Sequence, residues 1–375
     1  MSSLIGTNVM GIRMPILKSG EDVKLIITNN LKDAIAQHKL EIQDNDVIAI
    51  TESFIARAYN NYVTVDDIAE FIKEKYGEDA YVGVLWPIYS RNRFSVILRG
   101  IARGAKHVVV QLQHGKDEVG NDIVNPWTGV DIIEYYREVV ESEGATCSII
   151  QSSNVWDVYK ASKGNVIVST IHTRKNVIRD LYDFIAQNEH NGTRSYSSVI
   201  MLTDIFNVPS KKHGWCEYGL LGSNKCGDER LKLFPTKESC EEVCEYIKDW
   251  VNKEYDKNVH VMVYGDGCFK DPSAGIWEFA DPISCPYHTG ELLDKSPNEI
   301  KIKYIADEVT DDPENIRTLI KEKNEHINQN PMLAQGRTPR KYYDLLASLC
   351  DLTSGSGDKG TPVILIQNYF KNYAD

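Results

Sequence analysis

Near its carboxyl end the chain reads LCDLTSGSGDKGTPVILIQNYF, Leu349 to Phe370. A small, polar, glycine-rich stretch runs into an unbroken apolar one. A P-loop follows a strand, opens a helix and carries G-x-x-x-x-G-K-[ST]. SGSGDKG has the wrong spacing and precedes the strand-like VILIQ instead of following a strand. A standard NTPase or Rossmann reading therefore has no support here, and the stretch reads as a turn entering a buried strand. The helical pattern PRKYYDLLASLCDL lies just before it.

Moving outward, strands and helices alternate. DVIAIT and HVVVQLQ read as buried strands, and CSIIQS, NVIVSTI, SSVIMLTDIF and VHVMVYGDG as further β runs. VDDIAEFIKEKYG is an amphipathic helix with Ile68, Phe71 and Ile72 at spacings of three and four. VDIIEYYREVVESEG, VIRDLYDFIAQN and SCEEVCEYIKDWVNKEY are also helical, whereas VKLIITNNLKDAIAQH reads as a strand-like start running into a helix. The fold class is α/β of the mixed α+β kind. The expected division is into a region 1–195 and a region 196–375.

The bulk numbers narrow the function. The chain has 375 residues, 42% of them hydrophobic, and 54 acids against 42 bases give a net charge of −12. That balance argues against non-specific nucleic-acid binding, which rests on basic surfaces. No apolar run approaches the ~18 residues of a membrane span. The start, MSSLIGTNVMGIRMPILKSGEDV, has no continuous apolar core of a secretory signal. The eight scattered cysteines read as reduced thiols of a cytoplasmic protein, and Cys216, Cys226, Cys240 and Cys244 contain no C-x2-C pair for zinc.

Five stretches could carry chemistry. In DVIAITESFIAR, Thr51, Glu52 and Ser53 follow a strand, and Arg57 shares a helical face with Ser53. Hydroxyls, free N–H groups and an arginine suit a phosphate, although an ordinary N-cap with a surface arginine has the same spacing. RNRFSVILRGIARGAKH gathers Arg91, Arg93, Arg99, Arg103 and Lys106, either an anion site or a solvated helix face. QHGKDEVGNDIVNP holds Asp117, Glu118, Asn121 and Asp122, either hard oxygen ligands for Mg²⁺ or an acidic surface turn. Asp204 and Asp266 end buried strands, where an aspartate can hold Mg²⁺ or make an Asx turn. Gly222, Ser223, Asn224 and Lys225 resemble a small anion-binding turn. No G-x-S-x-G or H-E-x-x-H occurs, which weakens hydrolase readings. His172 in STIHTR could be an acid or base, or a satisfied, partly buried histidine.

Together these stretches resemble the coenzyme F420-0:L-glutamate ligase family, the γ-glutamyl ligases. GIRMPILKSGEDV is similar to the family's G-x-P-x-I-x-x-G-D-D opening. DNDVIAITESFIARAYNNYV is similar to its G-D-V strand with the Ser–Thr and S-K-A-E-G-R segment. GSGDKGTPVILIQ is similar to its closing G-x-G-G-D-G-x-P strand, and IADE at Ile305 to Glu308 to its A-D-E helix start. The resemblance covers roughly the first 70 and last 40 residues. The middle is closer to the longer bacterial members.

The resemblance implies an amide ligase that spends GTP, or ATP, to activate a carboxylate as an acyl phosphate, which L-glutamate's amine then attacks. It implies Mg²⁺ or Mn²⁺, a homodimer, and a fold with both chain ends in one lobe. The acceptor would be a carboxylate-bearing small molecule, a deazaflavin or a folate-type pterin. Residue by residue, it places Met14, Pro15, Ile16 and Leu17 on the nucleotide-contacting opening turn, Glu52 and Ser53 on the Ser–Thr pair, and Arg57 on the lysine. Asp204 falls on the metal-binding Asp of D-T-x-G-R, although Ile205 follows and the G-R is absent. Asp117 and Asn121 are only a loose counterpart of D-x-x-N, and the strand-end Asp266 is a further metal candidate. Gly355, Ser356, Gly357, Asp358 and Lys359 form the closing turn, with Gly355 where short members carry an acid. Arg57 and the Arg91–Arg103 group, Arg99 among it, would neutralise the phosphoryl charge. The alternative function is a nucleotide- or anion-binding sensor or scaffold that has lost ligation.

Overall fold

A computed structural model describes residues 4–188, 196–265, 268–270, 277–279, 285–334, 336–337, 340–354 and 359–375. With elements numbered in chain order, the chain forms two compact units. One gathers residues 1–58, 237–265 and 283–375, and the other residues 59–236 and 266–282. Both chain ends thus belong to one unit. The units are not the consecutive regions 1–195 and 196–375, because strands from the two ends pair with each other and leave the middle to fold by itself.

The sheet of the first unit has the order β1 (Asn8–Ile12), β16 (Val363–Gln367), β2 (Val47–Thr51), β11 (His260–Tyr264). β16 is antiparallel to β1 and β2, while β2 and β11 are parallel. Apart from the terminal Thr51, Gln367 and His260, VIAIT, VILIQ and HVMVY are apolar because both faces are covered. Ile48, Ile50, Val261, Val263, Val363 and Leu365 join a core with the apolar residues of α1 (Val23–His38) and α8 (Lys237–Tyr255). Val47, Ala49, Met262, Tyr264, Ile364 and Ile366 form the opposite core with Leu346, Ala347 and Cys350 of α11 (Tyr342–Ser354). α2 (Glu52–Ala58) continues directly from β2.

VKLIITNN is helical from its first residue and has no strand-like start. Asp22 caps it, accepting hydrogen bonds from the Lys24 and Leu25 N–H groups. Val23, Ile27, Leu31 and Ile35 then recur every four residues and are all buried, so helical burial overrides the β-branched propensity. Farther on, α9 (Ile302–Glu308) and α10 (Pro313–Gln329) pack Ile305, Ile316 and Ile320 with Ala374. IADE therefore ends α9 and does not begin a helix. A short ladder pairs β14 (Asn298–Glu299) with β15 (Gly336–Arg337).

The second unit is built on five parallel strands in the order β6 (Thr146–Gln151), β5 (His107–Leu112), β4 (Tyr81–Leu85), β7 (Val166–Val168), β8 (Val199–Met201). α3 (Val65–Tyr76), α4 (Arg93–Gly104) and α5 (Ile132–Ser142) share one core with Val108, Val110 and Leu112. α6 (Trp156–Ala161) and α7 (Arg174–Asn188) share the other with Val109, Val166 and Val168. The first strand of the sheet is its centre, and later strands add first on one side and then on the other. This is the doubly wound order, with its switch point between β4 and β7. It is reached without a phosphate fingerprint, since the turn after β4, WPIYSRN, contains no glycine. Two smaller ladders complete the unit: β3 (Tyr62–Thr64), β10 (Arg230–Leu233) and β9 (Ser223–Lys225) in one, β12 (Cys268–Lys270) and β13 (Trp277–Phe279) in the other.

Gly100 and Gly104 lie one turn apart on α4, where α3 approaches closely. A Cβ on Gly104 would sit 2.5 Å from the Ala69 carbonyl oxygen, and one on Gly100 2.5 Å from the Ile68 Cβ. No helix among the described residues is long and apolar enough to cross a membrane.

Candidate functional site

In the first unit, three distant stretches meet at one end of the sheet. β1 ends at Ile12, opposite Val363, where β16 begins, and Val363 in turn faces Ile50 near the end of β2. Beyond these ends, the Met14 N–H donates to the Gly360 carbonyl (3.0 Å) and the Thr51 N–H to the Pro362 carbonyl (2.9 Å). The Gly20 N–H donates to the Ala58 carbonyl (2.9 Å). The opening turn, the last residues of β2 and of α2, and the end of the closing turn are thereby laced together.

Within this lacing Leu17 is buried and anchors the turn, while Ile16 is 89% exposed. Pro15 and Lys359 are exposed, Met14 and Ser53 half-buried, and Glu52 wholly buried in the first turn of α2. Arg57 projects from an exposed position, but its Nε–H is spent on the Leu17 carbonyl (2.5 Å). It therefore holds the opening turn in place. Gly355, Ser356, Gly357 and Asp358 lie outside the described residues, as does Asp266, two residues beyond the end of β11.

In the second unit the expected residues sit in different surroundings. Asp117 is buried, and its carboxylate accepts four hydrogen bonds: from the N–H groups of Tyr89 (2.9 Å), Val119 (3.1 Å) and Asn121 (2.8 Å), and from the Asn121 amide (3.0 Å). A carboxylate has about four lone-pair sites, and all are used. Burial pushes this carboxyl above its usual range, against the pull of those hydrogen bonds. Asp117 and Asn121 thus clamp the β5–α5 loop to the turn after β4. Asp122 pairs with Lys116 (2.6 Å).

Asp204 ends the short turn after β8 and accepts the Met201 N–H (2.8 Å). It lies near Tyr76 and Tyr182, whose phenols burial pushes up, with its charge adding to the effect. Asp117 and Asp204 follow β5 and β8, which are three strand spacings apart in the sheet. That is about 14 Å at ~4.8 Å per strand, too far for one ion. Among the described residues no three His, Cys, Asp or Glu side chains gather as a metal cage. A nucleotide-borne Mg²⁺ needs only one or two carboxylates beside the phosphates. Asp204, with a single hydrogen bond from Met201 on one oxygen, fits that contact, and Asp117 does not.

The basic stretch turns inward on itself. Arg93 is buried and donates to the Leu221 carbonyl (2.5 Å). Arg99 holds Glu143 (2.6 Å), Glu229 (2.6 Å) and the Asp228 carbonyl (2.7 Å). Arg103 holds Glu143 (2.8 Å) and Asp66 (2.8 Å). Burial opposes the charge of Glu143, but the hydrogen bonds from Arg103 and Arg99 outweigh it and hold its carboxyl below the ordinary value. Ser223, Asn224 and Lys225 form β9 and not an anion-binding turn, and Lys225 pairs with Asp228 (2.9 Å).

Glu118, an oxygen-ligand candidate by sequence, reaches from the β5–α5 loop to the start of α7. Its carboxylate accepts the N–H groups of Ile171, His172 (3.2 Å) and Thr173 (3.4 Å), and the Thr173 hydroxyl (3.3 Å). These partners lie more than fifty residues away, and no local spacing announces them.

Comparison with known proteins adds a family. No curated protein matches the chain. Among solved structures, the crystal structure of eIF2B beta from Chaetomium thermophilum aligns at 14% identity and a TM-score of 0.22, over 32% of this chain and 38% of that one. The family model described as F420-0:gamma-glutamyl ligase matches residues 11–368, from the opening turn to just past β16. The chain therefore belongs to the F420-0:gamma-glutamyl ligase family.

Proposed function

We propose that this protein, a carbon–nitrogen ligase by family, joins L-glutamate to a carboxylate-bearing small molecule at the expense of GTP or ATP. The γ-phosphoryl group passes to an acceptor carboxylate oxygen, and its bond to the nucleoside diphosphate breaks. The glutamate amine then forms a C–N bond with the acyl carbon, phosphate leaves, and the amine loses a proton. The acceptor is a deazaflavin or a folate-type pterin, the cation Mg²⁺ or Mn²⁺, and the working form a homodimer.

The observation that carries this reading is the lacing of the opening turn, α2 and the closing turn at one end of the first unit's sheet. It supports a nucleotide seat made of backbone groups with Ile16 presented beside them. Asp204, the metal carboxylate that the resemblance implies, belongs to the second unit and is tested separately from this seat.

A second reading, an anion sensor that has lost ligation, is favoured by one observation. Arg99, expected to meet the phosphoryl charge, is already bound to two carboxylates and a carbonyl. Calorimetric titration with GTP and ATP, with and without Mg²⁺ or Mn²⁺, tests both readings. Metal-dependent binding followed by phosphate release with glutamate and acceptor supports the ligase. Binding without release supports the sensor, and no binding removes both. Asp204→Asn is expected to abolish the metal-dependent part of binding with its thermal unfolding unchanged. Unchanged binding would remove Asp204 from the site.

A further inference from the structure

In doubly wound sheets ligands bind outside the carboxyl ends of the strands, at the switch point. Here that point lies between β4 and β7, and it has three unusual features. The residue that leaves β4 is Trp86, in the left-handed region at φ 48°, which bulky side chains seldom adopt. Its N–H donates to the Gln111 carbonyl (2.9 Å) and its indole N–H to the Ser152 carbonyl (3.1 Å), so the ring is fixed from both ends.

The loop that leaves β7, Ser169 to Thr173, presents consecutive N–H groups at the start of the fifteen-residue α7. The Glu118 carboxylate sits on them, reaching over from the loop of a strand two places away in the sheet. Finally, Thr170 in the same loop is 1% exposed, and its hydroxyl has no hydrogen-bond partner. A buried hydroxyl left without a partner is destabilising, because its lost hydration is not replaced. A helix start capped by Glu118 does not explain that hydroxyl, whereas a free oxyanion in place of the Glu118 carboxylate would satisfy it.

We propose that the switch point of the second unit is a binding site for a small oxyanion, a carboxylate or a phosphate. The N–H groups of Ile171, His172 and Thr173 and the hydroxyls of Thr170 and Thr173 hold it, and Glu118 is the internal carboxylate that it displaces. The N–H cluster and the helix dipole favour negative charge from either source. The site does not depend on the ligase reading, because binding alone reports it.

The test is calorimetry on the full chain with inorganic phosphate in one arm and L-glutamate in the other. Glu118→Gln removes the competing charge. It is expected to tighten binding at least tenfold in one arm, and that arm identifies the source. Adding Thr170→Val to Glu118→Gln is expected to abolish most of the gain. A folded Glu118→Gln protein with no gain in either arm overturns the proposal. If Glu118→Gln does not fold, wild-type protein labelled with nitrogen-15 histidine decides. A shift of the His172 amide resonance on titration with phosphate or L-glutamate supports the site, and an unmoved resonance up to high ligand concentration overturns it.

Discussion

Arg57 and Asp117 show how little a residue's type says about its partner. Both are the kind of group that meets phosphate or metal, and both are engaged by their own chain. Arg57→Ala removes a charged donor from the Leu17 carbonyl. Hydrogen bonds to charged groups contribute about 1.5–3 kcal/mol, and exposure brings this one below that range, to about 1 kcal/mol. The expected result is a modest drop in thermal midpoint together with a raised KM for the nucleotide, since the opening turn loosens. An unchanged KM would separate that turn from nucleotide binding. The strands and their polar ends could be read directly from residue patterns. The fate of Asp117 and Glu118 could not, because a carboxylate's value as a ligand depends on which N–H groups folding brings to it.

Elements carry the next level of prediction. α3 and α4 pack so closely that Gly104 has a backbone carbonyl where a methyl group would go. Gly104→Ala adds helix propensity but forces the helices apart, and overpacking of this kind costs about 1–3 kcal/mol. Chemical denaturation should show the loss, whereas an unchanged midpoint would mean that the helices separate freely. The Arg99–Glu143–Arg103 cluster behaves differently, because its contribution depends on pH. The carboxyl of Glu143 lies below its unfolded value of 4.5, so its stabilisation is complete above that value and is lost as pH falls through the lower folded value. Glu143→Gln should therefore lower stability at neutral pH by about 2–3 kcal/mol, under the range for a fully buried pair because the arginines remain partly in water. The gap between variant and wild type should close in acid. A gap independent of pH would contradict the ion-pair account. Neither device could be read from RNRFSVILRGIARGAKH, whose five cations look alike until α5 and β10 supply their partners.

At the scale of the whole molecule, the family and the gathering of both chain ends in one unit were legible through the resemblance, and the order of the central sheet was not. The two ends carry specific motifs, and β1 and β16 are direct neighbours. In the second unit, HVVVQL and VIV declare buried strands, whereas YVGVL, the centre of the sheet, was not singled out. Nothing in a single strand declares that β4 lies between β5 and β7, since that order rests on crossover connections. The central claim is that this ligase forms a glutamyl amide by spending a nucleoside triphosphate. The most direct test incubates the full chain with GTP or ATP, Mg²⁺ or Mn²⁺, L-glutamate, and deazaflavin and folate-type acceptors, and follows products by mass spectrometry. The account predicts an acceptor heavier by one glutamyl residue, with one nucleoside diphosphate and one phosphate released per product. Nucleotide binding with every acceptor returned unmodified and no phosphate released would contradict it.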